Sequence, residues 1–302
     1  MKISKLKKYI KHPSLIIVYL TGMMRLGWLS DPAYIKFRYR VNMGRRLNLD
    51  SPRAFNEKLQ WLKLYDRKPA YTMMVDKYRV RAYIAKKLGP EYLVPLLGVW
   101  ERAEDVDFDA LPEQFVLKCN HNSGEGMCIC RDKSRLDLEK VRRGLKKGLE
   151  QNYYLYGREW AYKDVPRRII AEKFLEEKGK IGLPDYKLLV FGGKVKCSFV
   201  YTQRFSASGL HMTAFDRDWR MLPFERHYPK STEPIEKPRN YERMVGFAEK
   251  LGKDLPFVRV DFLEAGGRLY FGELTIYPGN GLEEFTPEEW DYKLGEWLTL
   301  PE

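Results

Sequence analysis

The sequence predicts an α+β protein with a mainly helical front. Three observations carry this: apolar residues at helical spacing between Arg53 and Tyr65, a change after Pro95 to short strand-like runs around a glycine-bearing turn, and strand pairs after Asp185 joined by turns containing Gly-Gly. At 302 residues and 44% hydrophobic content, the chain can bury one large core or two to three small lobes. The expected divisions are a helical region over 1–75, a small lobe with the glycine turn over 76–172, and a large lobe over 173–302.

Residues 1–29 read as a basic, partly amphipathic helix. Lys2 to Lys11 precede an apolar run, Ser14 to Leu20, too short to span a bilayer and followed by Arg25 and Trp28 instead of a cleavage site. Peripheral membrane contact and packing on the protein body both remain open. Residues 53–65 form a helix with Phe55, Leu59, Trp61, Leu62 and Tyr65 on its apolar side and Ser51-Pro52 as its start signal. Residues 76–88 form another, ended by Gly89-Pro90. Residues 115–118 and 127–130 pair as a hairpin, 136–154 give a basic helix and 168–174 a strand. Residues 186–191 and 195–202 flank Gly192-Gly193, a strong hairpin signal. After a helix over 240–251, the strands 257–263 and 268–274 flank Glu264-Ala265-Gly266-Gly267.

With 54 Lys and Arg against 41 Asp and Glu, the net charge of +13 favours an anionic partner without choosing among nucleotide, nucleic acid, acidic glycan or lipid. The basic residues are spread along the chain, which argues against nucleic acid. Four cysteines in a chain this long do not make a secreted disulfide framework, so a cytoplasmic location is expected.

Asp261 and Glu273 interrupt two otherwise apolar strands. In a tight hairpin both can reach one face, where paired carboxylates suit magnesium; alternatively both face solvent as ordinary strand acids. Lys118 ends an apolar strand and is followed by Cys119-Asn-His-Asn-Ser-Gly-Glu-Gly126, a turn whose glycines let backbone N–H groups approach phosphate. It lacks P-loop spacing, and a plain hairpin turn is the other reading. Cys119, His121, Cys128 and Cys130 are zinc-type ligands at spacings that match no familiar zinc knuckle; Cys128 and Cys130 read better as small core residues.

Taken in order, these segments resemble the ATP-grasp superfamily, and within it the TupA-like branch. The motifs are Phe55-Asn-Glu-Lys-Leu-Gln-Trp-Leu62, Asp76-Lys77, Lys118 before the glycine loop, Glu172-Lys-Phe-Leu175, Asp185, Arg259-x-Asp261 and Glu273-x-Thr-x-x-Pro-Gly279. The resemblance implies an ATP-grasp fold, two α+β lobes clasping ATP. Lys77 and Lys118 would hold phosphates, with the loop carrying Asn120, Ser123, Gly124 and Gly126 closing over them. Glu172, Lys173, Phe174 and Leu175 would form the hinge where adenine docks, and Asp185 and Lys187 would complete the nucleotide site. Asp261 and Glu273 would share two magnesium ions, with Arg259 stabilising the transferring phosphoryl group. Where the superfamily commonly has Asn, this chain has Thr275, and Asn280 is the alternative.

The implied reaction is ATP-dependent joining of a carboxylate to an amine through an acyl phosphate, on a uronic-acid-containing surface glycan or its precursor at the inner face of the membrane. Arg38, Arg40, Arg45, Arg46, Arg158, Arg204 and His211 are candidates to meet an acidic substrate, or form a solvated basic face. The competing reading is a glycosyltransferase of the same pathways. Against it, the nearest Asp-x-Asp pairs, Asp107-Phe-Asp109 and Asp216-Arg-Asp218, sit in polar, turn-like settings.

Overall fold

The computed structural model describes residues 28–302 except 178, 180, 181 and 207, so the expected N-terminal basic helix lies outside the described residues but for its last two positions. Two antiparallel sheets organise the chain. The smaller, in order β1-β4-β2-β3, contains β1 (Leu96–Trp100), β2 (Phe115–Cys119), β3 (Cys128–Cys130) and β4 (Ile169–Lys173). The larger, in order β10-β9-β5-β6-β7, contains β5 (Asp185–Phe191), β6 (Lys194–Thr202), β7 (His211–Asp216), β9 (Phe257–Ala265) and β10 (Arg268–Thr275). β8 (Glu225–Arg226) and β11 (Phe285–Thr286) make a two-stranded clip.

All three expected hairpins form. Gly192 and Gly193 at φ 52° and 78°, and Gly266 and Gly267 at 56° and 74°, take the left-handed pair of conformations that a two-residue turn between right-twisted strands requires. The strands run to the turn residues, so β9 extends through Glu264 and Ala265.

The helices are α1 (Asp31–Met43), α2 (Phe55–Tyr65), α3 (Ala70–Val75), α4 (Val80–Lys87), α5 (Leu138–Glu150), α6 (Tyr153–Gly157), α7 (Tyr241–Gly252) and α8 (Glu289–Trp297). Side chains fix where three of them start. α2 begins after Ser51-Pro52, where Glu57 accepts the otherwise orphaned N–H groups of Arg53 and Ala54 at 2.9 and 3.1 Å. The helix expected from Asp76 begins at Val80, because Asp76 Oδ1 accepts from Tyr78 N and Arg79 N and holds the chain in a turn. α5 starts at Leu138, capped by Asp137.

α5 covers the small sheet, with Leu145 buried and Val141 and Leu149 half-buried against Phe115, Leu117, Cys130 and Ile169. Cys128 packs on this cluster too, and Cys119 Sγ is turned to Leu145 O at 3.8 Å. The larger core lies under β5, β6 and β9, where α7 contributes Met244, Val245, Ala248 and Leu251. Phe55, Leu59 and Leu62 of α2 belong to this same core, the Phe55 ring meeting Phe257 edge-on at 5.1 Å.

Most polar residues of α2 are buried as well, with Lys58 half-buried. Asn56 Nδ2 donates to Glu283 O, Lys58 Nζ to Gly295 O and Leu298 O, and Gln60 Nε2 to Asn280 O and Gly281 O. Lys63 Nζ donates to Gln60 Oε1, Gly157 O, and both the backbone and side-chain oxygens of Asn280. One helix thus fastens three C-terminal segments by their backbone carbonyls.

Candidate active site

A cleft of about 780 Å³ opens between the two sheets, within the size range of small-molecule sites. Its large-sheet wall is built on one face of β5, β9 and β10. Lys187 lies opposite Asp261 across β5 and β9, and Arg259 is two residues before Asp261 on the same face.

Glu273 reaches that face through a β-bulge. From the turn, β10 pairs regularly with β9 as far as Phe271 opposite Phe262; beyond it Leu274 is opposite Val260 and Thr275 opposite Arg259. Gly272 and Glu273 therefore share the single position facing Asp261. An unbroken ladder would pair Asp261 with Gly272 and turn Glu273 to the far side. Gly272 is suited to this position, since a Cβ there would come within 3.1 Å of Asp261 O and 3.4 Å of Asp261 Cβ.

The two carboxylates are bound together by cations. Arg259 donates to Asp261 Oδ1 and Oδ2 at 2.7 and 2.8 Å and to Glu273 Oε1 at 2.9 Å; Lys187 pairs with Asp261, and Lys77 with Glu273 at 3.5 Å. Burial would raise the Glu273 carboxyl, but Lys77, Arg259, Lys187 and Lys118 outweigh it and hold it well below the usual carboxylate range. Thr275 donates to Glu273 Oε1 at 3.3 Å. Asn280, though at the cleft edge, has its carboxamide oxygen turned to Lys63.

The smaller sheet and its neighbours supply the opposite wall. Lys118 pairs with Glu172 at 2.6 Å, and Glu172 also accepts from Arg81 at 3.0 Å, so its carboxylate bridges β2, β4 and α4. Lys173, Phe174 and Leu175 line the cleft where the chain leaves β4 for β5, together with Asp185, which pairs with Arg204 at 2.5 Å.

The glycine loop divides in two. Ser123 and Gly124 line the cleft. Asn120 and Gly126 do not: fully buried Asn120 donates to Asp76 Oδ1 at 2.7 Å and to Pro166 O at 2.8 Å and accepts from Arg168 N, tying the loop to the start of α4. Lys77 Nζ donates to Asn122 O at 2.8 Å, which places its ammonium between the loop and Glu273. Gly126 lies against Gly148 of α5, whose added Cβ would be 2.9 Å from the Gly126 Cα.

Several residues in or beside the cleft went unsingled in the sequence. Arg81 carried no motif, and Glu159 no pattern at all; burial pushes the Glu159 carboxyl up, against the pull of Lys63 and Arg259. Tyr153, Tyr156 and Tyr162 form an aromatic wall, the Tyr153 ring 6.4 Å from Tyr156 and 4.7 Å from Tyr162. The run Tyr153-Tyr-Leu-Tyr156 was the available signal. Both Asp-x-Asp pairs lie off the cleft in turns: Asp107 Oδ1 accepts from Asp109 N and Ala110 N, and Asp216 Oδ1 from Asp218 N and Arg220 N. Among the described residues no helix is long and apolar enough to cross a membrane.

No curated protein matches the chain. Among solved structures it is similar to D-alanine–D-alanine ligase from Bacillus anthracis complexed with ATP, at 20% identity over 68% of this chain and 56% of that one, TM-score 0.42. It is also similar to the Helicobacter pylori D-alanine–D-alanine ligase, at 16% identity over 83% and 70%, TM-score 0.43, and to the D-cycloserine synthetase DcsG, at 16% over 89% and 79%, TM-score 0.42. The match thus spans little more than half the length of the Bacillus anthracis ligase. A family model described as TupA-like ATPgrasp matches residues 57–299, from α2 to the end of α8, and the chain therefore belongs to the TupA-like ATP-grasp family.

Proposed function

We propose that this protein is an ATP-dependent carboxylate–amine ligase acting on an acidic glycan or its precursor. The observation that carries the reading is the Asp261–Glu273 pair, set on one face by the bulge, cross-linked by Arg259 and lining the cleft that Lys77 and Lys118 also line.

The donor set fits magnesium: two carboxylates and a hydroxyl, all hard oxygen, amid cations of the kind that pair with phosphate. Among the described residues no group of three Asp, Glu, His or Cys gathers as a cage for a metal, which suits an ion held by two carboxylates plus substrate phosphates. Asp261 and Glu273, with Thr275 beside them, would hold it. Magnesium supplies neutralisation of the triphosphate's charge.

In this reading Lys118 and Lys77 exchange their carboxylate partners for phosphate oxygens, and Arg259 stabilises the transferring phosphoryl group between the two acids. A substrate carboxylate oxygen attacks the γ-phosphorus and ADP leaves. An amine then attacks the acyl phosphate carbon, releasing phosphate and forming the amide. The chain's part is positioning and charge stabilisation, with no covalent nucleophile. Adenine would lie against Phe174 and Leu175 at the lobe junction, with Asp185 toward the ribose. A net charge of +13 suits a polyanionic acceptor, and the basic residues before Trp28 suit a membrane-adjacent site of glycan assembly.

The test is to incubate the protein with ATP, magnesium, a uronic-acid oligosaccharide and a pool of amino acids. ADP and phosphate formation requiring both acceptor and amine is expected. Release of UDP from a sugar nucleotide with ATP untouched would overturn the ligase in favour of a glycosyltransferase.

A further inference from the structure

Seven basic or histidine residues are candidates to meet an acidic substrate, and the fold separates one from the rest. Arg45 is committed to Asp291 and Glu288, and Arg204 to Asp185. Arg158 lies 3.8 Å from Asp31, and His211 Nδ1 contacts Gly209 O. Arg40 and Arg46 do not line the cleft. Arg38 does, and it is only 7% exposed.

What surrounds Arg38 does not neutralise it. Its Nη1 donates to the Tyr34 hydroxyl at 3.3 Å, and its guanidinium lies over the Tyr34 and Tyr156 rings at 5.9 and 5.5 Å. Its Nε is buried without a hydrogen-bond partner, and among the described residues it pairs with no carboxylate. Burial therefore leaves a guanidinium in the cleft wall that no carboxylate among the described residues meets. Lys63 is buried nearby, close enough that the Arg38 charge adds to burial in pushing its ammonium pKa down, against the pull of Glu159. A buried cation lacking an anion is costly unless an anion arrives.

The aromatic wall gives that anion a direction. Tyr156, under Arg38, stacks at 27° on Tyr153, and Tyr153 in turn feels the charges of Glu273 and Arg259. A flat-faced ligand lying along these rings would have one end at the phosphoryl-transfer site and the other at Arg38.

We infer that Arg38, with Tyr156 and Asn42 at the cleft rim, forms a second anion subsite for the acceptor, binding a carboxylate or phosphate other than the carboxylate that reacts. This rests on the ligase reading for which end of the cleft holds ATP. It specifies an acceptor carrying at least two anionic groups, with a sugar ring between them on the tyrosine wall.

The experiment uses the full chain with ADP and magnesium and measures calorimetric binding of trigalacturonate, galactose 1-phosphate and neutral maltotriose. Wild type should bind at least one anionic probe and bind maltotriose at least tenfold more weakly. Arg38→Met should weaken the anionic probe at least tenfold, Arg38→Lys should restore part, and ATP affinity should stay within twofold. Loss confined to trigalacturonate assigns the anion as a carboxylate, and loss confined to galactose 1-phosphate as a phosphate. If Arg38→Met unfolds, Arg38→Lys and the rim change Tyr156→Leu carry the test, each with a severalfold loss expected. Anionic probes that bind equally to wild type and variants, or bind no better than maltotriose, overturn the subsite. Failure of wild type to bind ATP instead overturns the ligase reading, so the two failures are distinct.

Discussion

Glu273 faces Asp261 because Gly272 absorbs one extra residue of β10 at the single position opposite that aspartate. The carboxylate pair is therefore set by a backbone irregularity, and the glycine is where it can be broken. Gly272→Val would place a Cβ 3.1 Å from Asp261 O and force Asp261 or the bulge to shift by a few tenths of an ångström. We expect ATP turnover to fall about 10- to 100-fold, since small misplacements of a catalytic group cost that much. Stability should fall by only about 1–2 kcal/mol. Steady-state ADP release and urea denaturation on the same preparation separate the two effects; unchanged turnover would deny the bulge its role.

Asp261 also neutralises two cations, which allows its structural and chemical roles to be parted. Asp261→Asn leaves Arg259 and Lys187 facing each other with one acid fewer, and breaking a buried pair in this way costs about 3 kcal/mol. Removing the second cation as well, in Asp261→Asn with Lys187→Met, should recover most of that stability. Activity should not return: both variants should lie at least about 10³-fold below wild type. A double variant that regains turnover with stability would show that Asp261 acts only as a counter-charge.

Much of this site was legible because its residues violate the local pattern. Asp261 and Glu273 stand out in apolar strands, and Gly192-Gly193 and Gly266-Gly267 mark turns that few other residues can make. The bulge had a signal too, a lone glycine inside a strand, but its consequence for facing appears only once the register is known. The polar side of α2 was not legible. Asn56, Gln60 and Lys63 have partners, at Asn280, Gly281 and Glu283, more than two hundred residues away along the chain, which no local pattern reveals. Arg38 likewise could not be told from six other candidates until burial and pairing were known.

Lys63 is the clearest case of that hidden side. Burial pushes its ammonium pKa down, with Glu159 pulling the other way, and its donors are taken by neutral oxygens on Gln60, Gly157 and Asn280. Lys63→Met removes the donors and leaves Gln60 Oε1, Gly157 O and the Asn280 carboxamide oxygen unsatisfied, while Asn280 O keeps Gln60 Nε2, an expected loss of about 3 kcal/mol. The loop at 278–281 borders the cleft, so proteolytic susceptibility there should rise in parallel. A variant of native stability and native proteolysis pattern would contradict this role.

His121 gives the protein an acid-sensitive contribution. Gln151 O can only accept, so Nε2 carries the proton at 3.1 Å, and Nδ1 is buried with no partner. Burial pushes the imidazole down to about 4 from an ordinary 6.5. The unfolded chain therefore takes up this proton first as pH falls. Stability is fully present above pH 6.5 and is lost as pH falls toward 4, by at most about 3 kcal/mol from this residue. Denaturant midpoints across that window should show a shallower slope for His121→Gln than for wild type, and equal slopes would exclude His121 as the source.

Two glycines of α5, four residues apart, should respond oppositely to the same change. Alanine in a helix interior is normally worth about 1 kcal/mol over glycine. At Gly144 an added methyl meets nothing within 4 Å, so Gly144→Ala should gain up to that amount and leave ATP use unaltered. At Gly148 the methyl would stand 2.8 Å from Cys119 Sγ and 2.9 Å from Glu125 O and the Gly126 Cα, two of them backbone atoms that cannot swing aside. The steric cost there, about 1–3 kcal/mol, exceeds the propensity gain. Relief comes by pushing the glycine loop off the helix, and Ser123 and Gly124, which line the cleft, move with it. Gly148→Ala should therefore raise the KM for ATP about tenfold while Gly144→Ala does not, a contrast that general helix destabilisation cannot produce.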